Sequence, residues 1–138
     1  MERSEAIALL KNEALTLVLY HGGEVIRSHE RGVAPLLSLL EGGRDVSRFA
    51  AVDKVVGKAA AFLYIALGVK EIYALTLSEA AKYLLLSHSV CVTYETLVPR
   101  ILNRVGNGYC PMESAVLDQT DIQTAIRKIK ETRTALSK

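Results

Sequence analysis

A three-layer α/β/α fold built on a small mixed sheet is the class the sequence predicts, and three stretches of chain predict it. Two β-patterned runs flank His21-Gly22-Gly23 as an antiparallel hairpin near the N-terminus. Residues 71–94 read strand, helix, strand, a succession short enough to require a parallel crossover. Between these lies a segment that is apolar on every side from Ala59 to Leu67. A helix of that composition belongs between other layers of the protein.

The elements follow in order. Residues 4–12 place Ala6, Ile7 and Leu10 at helical spacing, and residues 15–20 and 24–28 form the hairpin, its glycines supplying the backbone torsions of a tight turn. A polar turn through Glu30, Arg31 and Gly32 leads to residues 33–40, a short helix with Pro35 in its first turn and Gly42-Gly43 past its end. A loop then feeds the long apolar helix, expected to open at Asp53 and close at Gly68. Residues 71–76 read as a strand, Ser78-Glu79 opens a helix through Leu86, and residues 90–94 read as a further strand. The last third holds a Gly106-Asn107-Gly108 loop and a helix opened by Cys110-Pro111. A terminal helix follows Thr120, with Ile122, Ala125, Ile126 and Ile129 inward. No repeat, linker or low-complexity tract interrupts the 138 residues, so one domain is expected, large enough to bury about two-thirds of its unfolded surface.

Composition narrows the function classes. Half the residues are hydrophobic and 23% are charged, and no stretch approaches the ~20 apolar residues of a membrane span. Seventeen basic against fifteen acidic residues leave a formal charge of +2, too weak a field to argue for nucleic acid or a membrane surface. The opening Met1-Glu2-Arg3-Ser4-Glu5 lacks the pattern of a secretory leader, so a cytoplasmic location is expected. Two cysteines are too few for a disulfide scaffold; both are expected reduced, with Cys91 a small buried hydrophobe in its apolar strand. The hydrophobic content is compatible with a homo-oligomer without specifying one.

Two motifs could carry chemistry. If the apolar helix opens at Asp53, then Asp53, Lys54, Gly57 and Lys58 share one side of its first turns. Lysines there oppose the positive end of the helix dipole, and an anionic partner would offset the cost. Gly57 is a poor helix former, which argues for close approach of a ligand or another backbone. The structural alternative has Asp53 capping, the lysines reaching water and Gly57 admitting a neighbouring strand. In the second motif, Cys110-Pro111-Met112-Glu113, the spacing is that of a capping box with cysteine as cap. A thiol at a helix N-terminus can be activated, which makes Cys110 a nucleophile candidate; the plainer role is an inert cap.

Other signals favour structure. His88 and Cys91 fall far short of a zinc ligand set, so no metal is expected, and no cofactor motif is present. His21 and His29 read as exposed turn residues, and Arg127, Lys128, Lys130 and Arg133 read as a solvated helix face. Arg31 is a loop arginine, either a surface residue or a second anion contact.

Four stretches together resemble a prokaryotic family, the domain of unknown function DUF1893, represented in Thermotoga, over nearly the whole chain. They are Leu15-Thr16-Leu17-Val18, Arg31-Gly32-Val33 with Pro35-Leu36-Leu37, Asp53 through Ala61, and Cys110-Pro111-Met112-Glu113. The resemblance implies a cytidine deaminase-like fold, with the segment after Val52 matching the helix that opens with the first zinc ligand and the catalytic glutamate. Zinc deaminases need His-or-Cys-x-Glu there and Pro-Cys-x-x-Cys on the next helix. This chain has Asp53-Lys54 in the first place and Ser78-Glu79 in the second, so zinc-dependent deamination is set aside.

The leading expectation is a small anionic or nucleotide-like ligand bound where the Asp53–Lys58 segment meets the Cys110–Glu113 loop. Lys54 and Lys58 would hold its charge, Asp53 would orient it, Gly57 would admit it and Arg31 would complete the pocket. A rival expectation makes Cys110 the nucleophile of a thiol or sulfur-handling enzyme, assisted by Lys58. A third is a non-catalytic interaction module.

Overall fold

The computed structural model describes residues 1–137 and has five strands and six helices among them. Helix α1 spans Arg3–Asn12, the hairpin strands β1 and β2 span Leu17–His21 and Glu24–Ser28, and α2 spans Ala34–Glu41. Then follow β3 (Ala50–Val56), α3 (Lys58–Leu67), β4 (Glu71–Ser78), α4 (Glu79–Ser87), β5 (Cys91–Val98), α5 (Pro111–Val116) and α6 (Ile122–Leu136). The sheet order is β2-β1-β3-β4-β5, antiparallel through β2, β1 and β3 and parallel through β3, β4 and β5.

Helices cover both faces, as expected for a mixed α/β fold. On one face α1 packs Ala6 and Leu10 against Val18, Tyr20 and Val52. On the other, the larger core joins Leu17, Leu19, Ala51, Ile72 and Ala74 to α2, α3, α4 and α6. Alternation along β1 therefore feeds two cores at once, which is why its burial is nearly continuous. Helix α3 is buried along most of its length and ends at Gly68 in the left-handed region (φ 79°), where an L side chain would also meet Ser47.

One expectation is corrected here, and it moves the candidate site. The apolar helix does not open at Asp53: Asp53 and Lys54 lie in β3, the central strand, which pairs with β1 and β4 where the end of a loop and the first turn of the helix are expected. The β-branched Val52, Val55 and Val56 suit a pleated strand, and Gly57, in extended conformation, separates it from the helix. Asp53 and Lys54 thus obey a period of two rather than 3.6, and they do not share a helix side with Lys58. Cys91 is exposed rather than buried, because β5 lies at the sheet edge.

Candidate functional site

Strands β3 and β4 run parallel, with Val56 beside Leu77, so their C-terminal ends deliver Gly57 and Ser78 side by side to the starts of α3 and α4. Ser78 is fully buried, and its Oγ caps α4 by accepting from the Ala81 amide at 3.2 Å. The same hydroxyl donates to Glu113 Oε2 at 2.5 Å. Glu113, only 2% exposed, also accepts at Oε2 from the Lys58 amide and at Oε1 from the Ile101 amide, each at 2.8 Å. The carboxylate therefore sits on the first amide of α3, where the free N–H groups and the dipole favour negative charge. The anion expected at this helix entrance is supplied by the chain itself.

Gly57 is explained by the same contact. A Cβ there would lie 3.1 Å from Glu113 Oε2 and 3.1 Å from Ile101 Cγ1, while the glycine's φ of −97° is open to any residue. Close approach, not backbone torsion, selects glycine. Gly57→Ala is expected to cost about 1–3 kcal/mol, since the carboxylate cannot move without loosening its donors. Urea unfolding measures this, and a variant as stable as the wild type would mean that the cradle yields freely.

Lys58 turns its ammonium inward. Its Nζ donates to the Leu117 carbonyl at 2.6 Å, at the C-terminal end of α5, and lies 5.7 Å from the centre of the Phe62 ring. Partial burial lowers its pKa, while Asp118 and Glu113 oppose that shift. The lysine thus secures the end of the helix whose start carries Glu113. Two separate contacts, Glu113 on the Lys58 amide and Lys58 on Leu117, clamp α5 against α3.

The remaining predicted residues stand apart from this cradle. Asp53 is buried under α3 and accepts from the Tyr64 hydroxyl at 2.6 Å and from the Val55 amide at 3.3 Å. Burial pushes its carboxyl up to about 7 against the hydrogen bonds that would lower it, and burial, reinforced by the Asp53 carboxyl beside it, raises Tyr64 well above its ordinary value. Lys54 is exposed on β3, and Arg31 is exposed in the turn before α2. Cys110 occupies the N-cap position of α5 without a side-chain cap bond, so the capping box is corrected: Glu113 reaches across to α3 instead of back to the Cys110 amide, which donates to the Ile101 carbonyl at 2.9 Å. The expected meeting of motifs is therefore partial. Gly57 and Lys58 join Glu113, whereas no hydrogen bond ties Asp53, Lys54, Arg31 or the Cys110 thiol to that cradle.

Residues outside the predicted set complete the arrangement. Ile101 and Ser78 supply two of the three donors to Glu113, and their separation along the chain gave no local signal. Beyond Ile101 the chain forms a narrow loop closed by the Leu102–Tyr109 bridge, the Asn103 amide bonding the Gly108 carbonyl at 2.8 Å. The Asn103 side chain accepts from the amides of Gly106 and Asn107. Arg100 stacks its guanidinium 3.9 Å from the Tyr109 ring centre and donates to Ser114 Oγ at 2.7 Å. On this fastened loop Leu102, Val105 and Tyr109 are 55%, 77% and 57% exposed.

Among the described residues no group of three or more His, Cys, Asp and Glu is placed to hold a metal, and no helix is long and apolar enough to cross a membrane. A shallow groove at the opposite end of the sheet is lined by Leu40, Ala66, His88, Asp121 and Lys130. Its acid is already committed, Asp121 capping α6 through the Thr124 amide and hydroxyl at 2.8 Å each.

Comparison with known proteins adds a family. Residues 5–132 match the family described as TM1506, domain of unknown function (DUF1893). The crystal structure of a DUF1893 family protein (TM1506) from Thermotoga maritima superposes with a TM-score of 0.86 at 27% identity, covering 95% of this chain and 91% of that one. No curated protein matches the chain.

Proposed function

The chain belongs to the DUF1893 family, whose description carries no activity, and we propose that it acts as a protein-interaction module presenting the 101–110 loop. One observation carries this reading: Leu102, Val105 and Tyr109 are exposed on a loop whose base is held by the buried Glu113. An exposed apolar cluster beside arginine, on a loop ordered before binding, has the composition of an interface hot spot and loses little entropy on docking. The Gly57-Lys58 and Cys110–Glu113 motifs then serve the loop by fixing α5 and Ile101 to the end of the sheet. Lysine participation is narrowed accordingly, because Lys58 is engaged with Leu117.

The test compares wild type with Val105→Asp and Tyr109→Ala as baits in an extract of the source organism. A partner retained by wild type and lost by both variants, at unchanged melting temperature, supports the reading. Identical retained proteins for all three baits would overturn it.

The anionic-ligand reading has a narrower basis in the cradle itself, which is a complete carboxylate receptor of two amides and a hydroxyl. In that reading an external carboxylate or phosphate competes with Glu113. A thermal shift of the wild-type protein by such an anion, beyond its ionic-strength effect, would favour it over the interaction module.

A further inference from the structure

We propose that two copies of this chain pair through the outer edge of β5, joining their sheets across a two-fold axis centred on Tyr94. Strand β5 is bonded to β4 along its length on one side only. Among the described residues no backbone bond is made to its other side, leaving a row of unpaired donors and acceptors that is a template for another strand.

The two sheet edges differ in a way that points to use. Edge strand β2 has five residues and bears Glu24 and Arg27, each in an ion pair, with Arg44 and Glu13 respectively. Such short, charged edges resist pairing. Strand β5 has eight residues, contains neither proline nor a basic residue, and carries one acid, Glu95, which pairs with Lys11 of α1 at 3.1 Å. Beside it, α4 exposes Tyr83 at 79% and Leu86 at 53%, while Lys82 of the same helix reaches the Tyr94 hydroxyl at 3.2 Å. An apolar helix face thus borders the open edge.

Charge selects a second copy and its register. Antiparallel pairing centred on Glu95 would set two carboxylates directly opposite, which is unfavourable. Centring one residue earlier sets Tyr94 against Tyr94 and Glu95 of each copy against Thr93 of the other. Arg3 already donates to Thr93 Oγ1 at 3.3 Å, so each acid, held by Lys11 and the Tyr73 hydroxyl of its own chain, would gain a guanidinium of the other copy beside it. The edge is self-complementary in that register, and the two α4 faces would close over it. This pairing uses none of the 101–110 loop and stands or falls independently of the interaction reading above.

Sedimentation equilibrium of the full chain tests it, together with Leu86→Glu and with Tyr94→Cys in a Cys91→Ser, Cys110→Ser background. The expected results are a wild-type dimer, association weakened by at least about tenfold in Leu86→Glu at unchanged circular dichroism, and an oxidation-dependent covalent dimer for Tyr94→Cys. A wild type that stays monomeric at high micromolar concentration overturns the proposal. So does a dimer that survives Leu86→Glu and gives no Tyr94→Cys crosslink, since it must then use another face.

Discussion

Glu113→Ala is expected to lower the unfolding free energy by about 3–5 kcal/mol. The variant strands three donors, the partly buried amides of Lys58 and Ile101 and the buried hydroxyl of Ser78. Each abandoned donor costs about 1–3 kcal/mol, partly recovered where water enters. The loss would also release Ile101 and the start of α5, so amide exchange across 101–116 should accelerate more than exchange in β3 or β4. Glu113→Gln keeps the volume but turns an amide NH2 toward groups that can only donate or that prefer a charge. It should fall between wild type and alanine. Urea denaturation of the three proteins at one pH gives the ranking.

The second large effect depends on pH and belongs to Asp53. Its carboxyl has an ordinary value of 3.8 and is pushed up to about 7 in the folded chain by burial. Below pH 3.8 it is protonated in both folded and unfolded states, and the folded state bears no penalty. As pH rises from there, the unfolded chain releases its proton first, so stability falls with pH until the folded carboxyl titrates near 7 and is flat above it. The gap corresponds to a loss on the order of 4 kcal/mol. Asp53→Asn should remove this slope. The variant can still accept from the Tyr64 hydroxyl, so it should match or trail wild type at pH 4 and exceed it at pH 8. Parallel stability curves for the two proteins across that range would show that Asp53 titrates normally and is hydrated in the folded state.

These two carboxylates show what could be read from the chain and what could not. The hairpin round Gly22-Gly23, the serine cap at Ser78 and the glycine stop at Gly68 are written in residues within a few positions of one another, and each stands where it was expected. Strand β3 escaped because its valines run into the alanines of α3 with one glycine between, and short apolar runs carry no period that separates a buried strand from a buried helix. That single boundary displaced Asp53 and Lys54 from the site. Gly57 was legible as a point of close approach, yet the approaching group was not, because Glu113 lies 55 residues from Lys58 in sequence. A capping box was the local partner that spacing offered to Glu113; the distant amides and hydroxyl won because they place the carboxylate on a buried helix start. Cys91 followed the same rule in reverse. Its apolar neighbours suggested burial, whereas exposure is decided by strand order, which local pattern does not contain.

The family match and the superposition on the Thermotoga protein fix membership and architecture, so what the candidate site can do is argued from its own residues. Those residues describe a carboxylate receptor already filled from within. Its donors point at Glu113, its glycine admits Glu113, and the lysine beside it closes the same helix at the other end. What the arrangement leaves outward is the 101–110 loop.

The most direct test of that claim is an acetate titration of Glu113→Ala and wild type at constant ionic strength, with unfolding free energy as the readout. Acetate can enter the hole left by the side chain and meet the amides of Lys58 and Ile101, and binding to the folded state alone raises stability with concentration. The expected result is a stability gain with acetate over chloride in the variant and none in wild type. Equal gains in both proteins would show that the helix entrance is open to external anions with Glu113 in place, and no gain in either would show that the carboxylate does not hold this end of the fold.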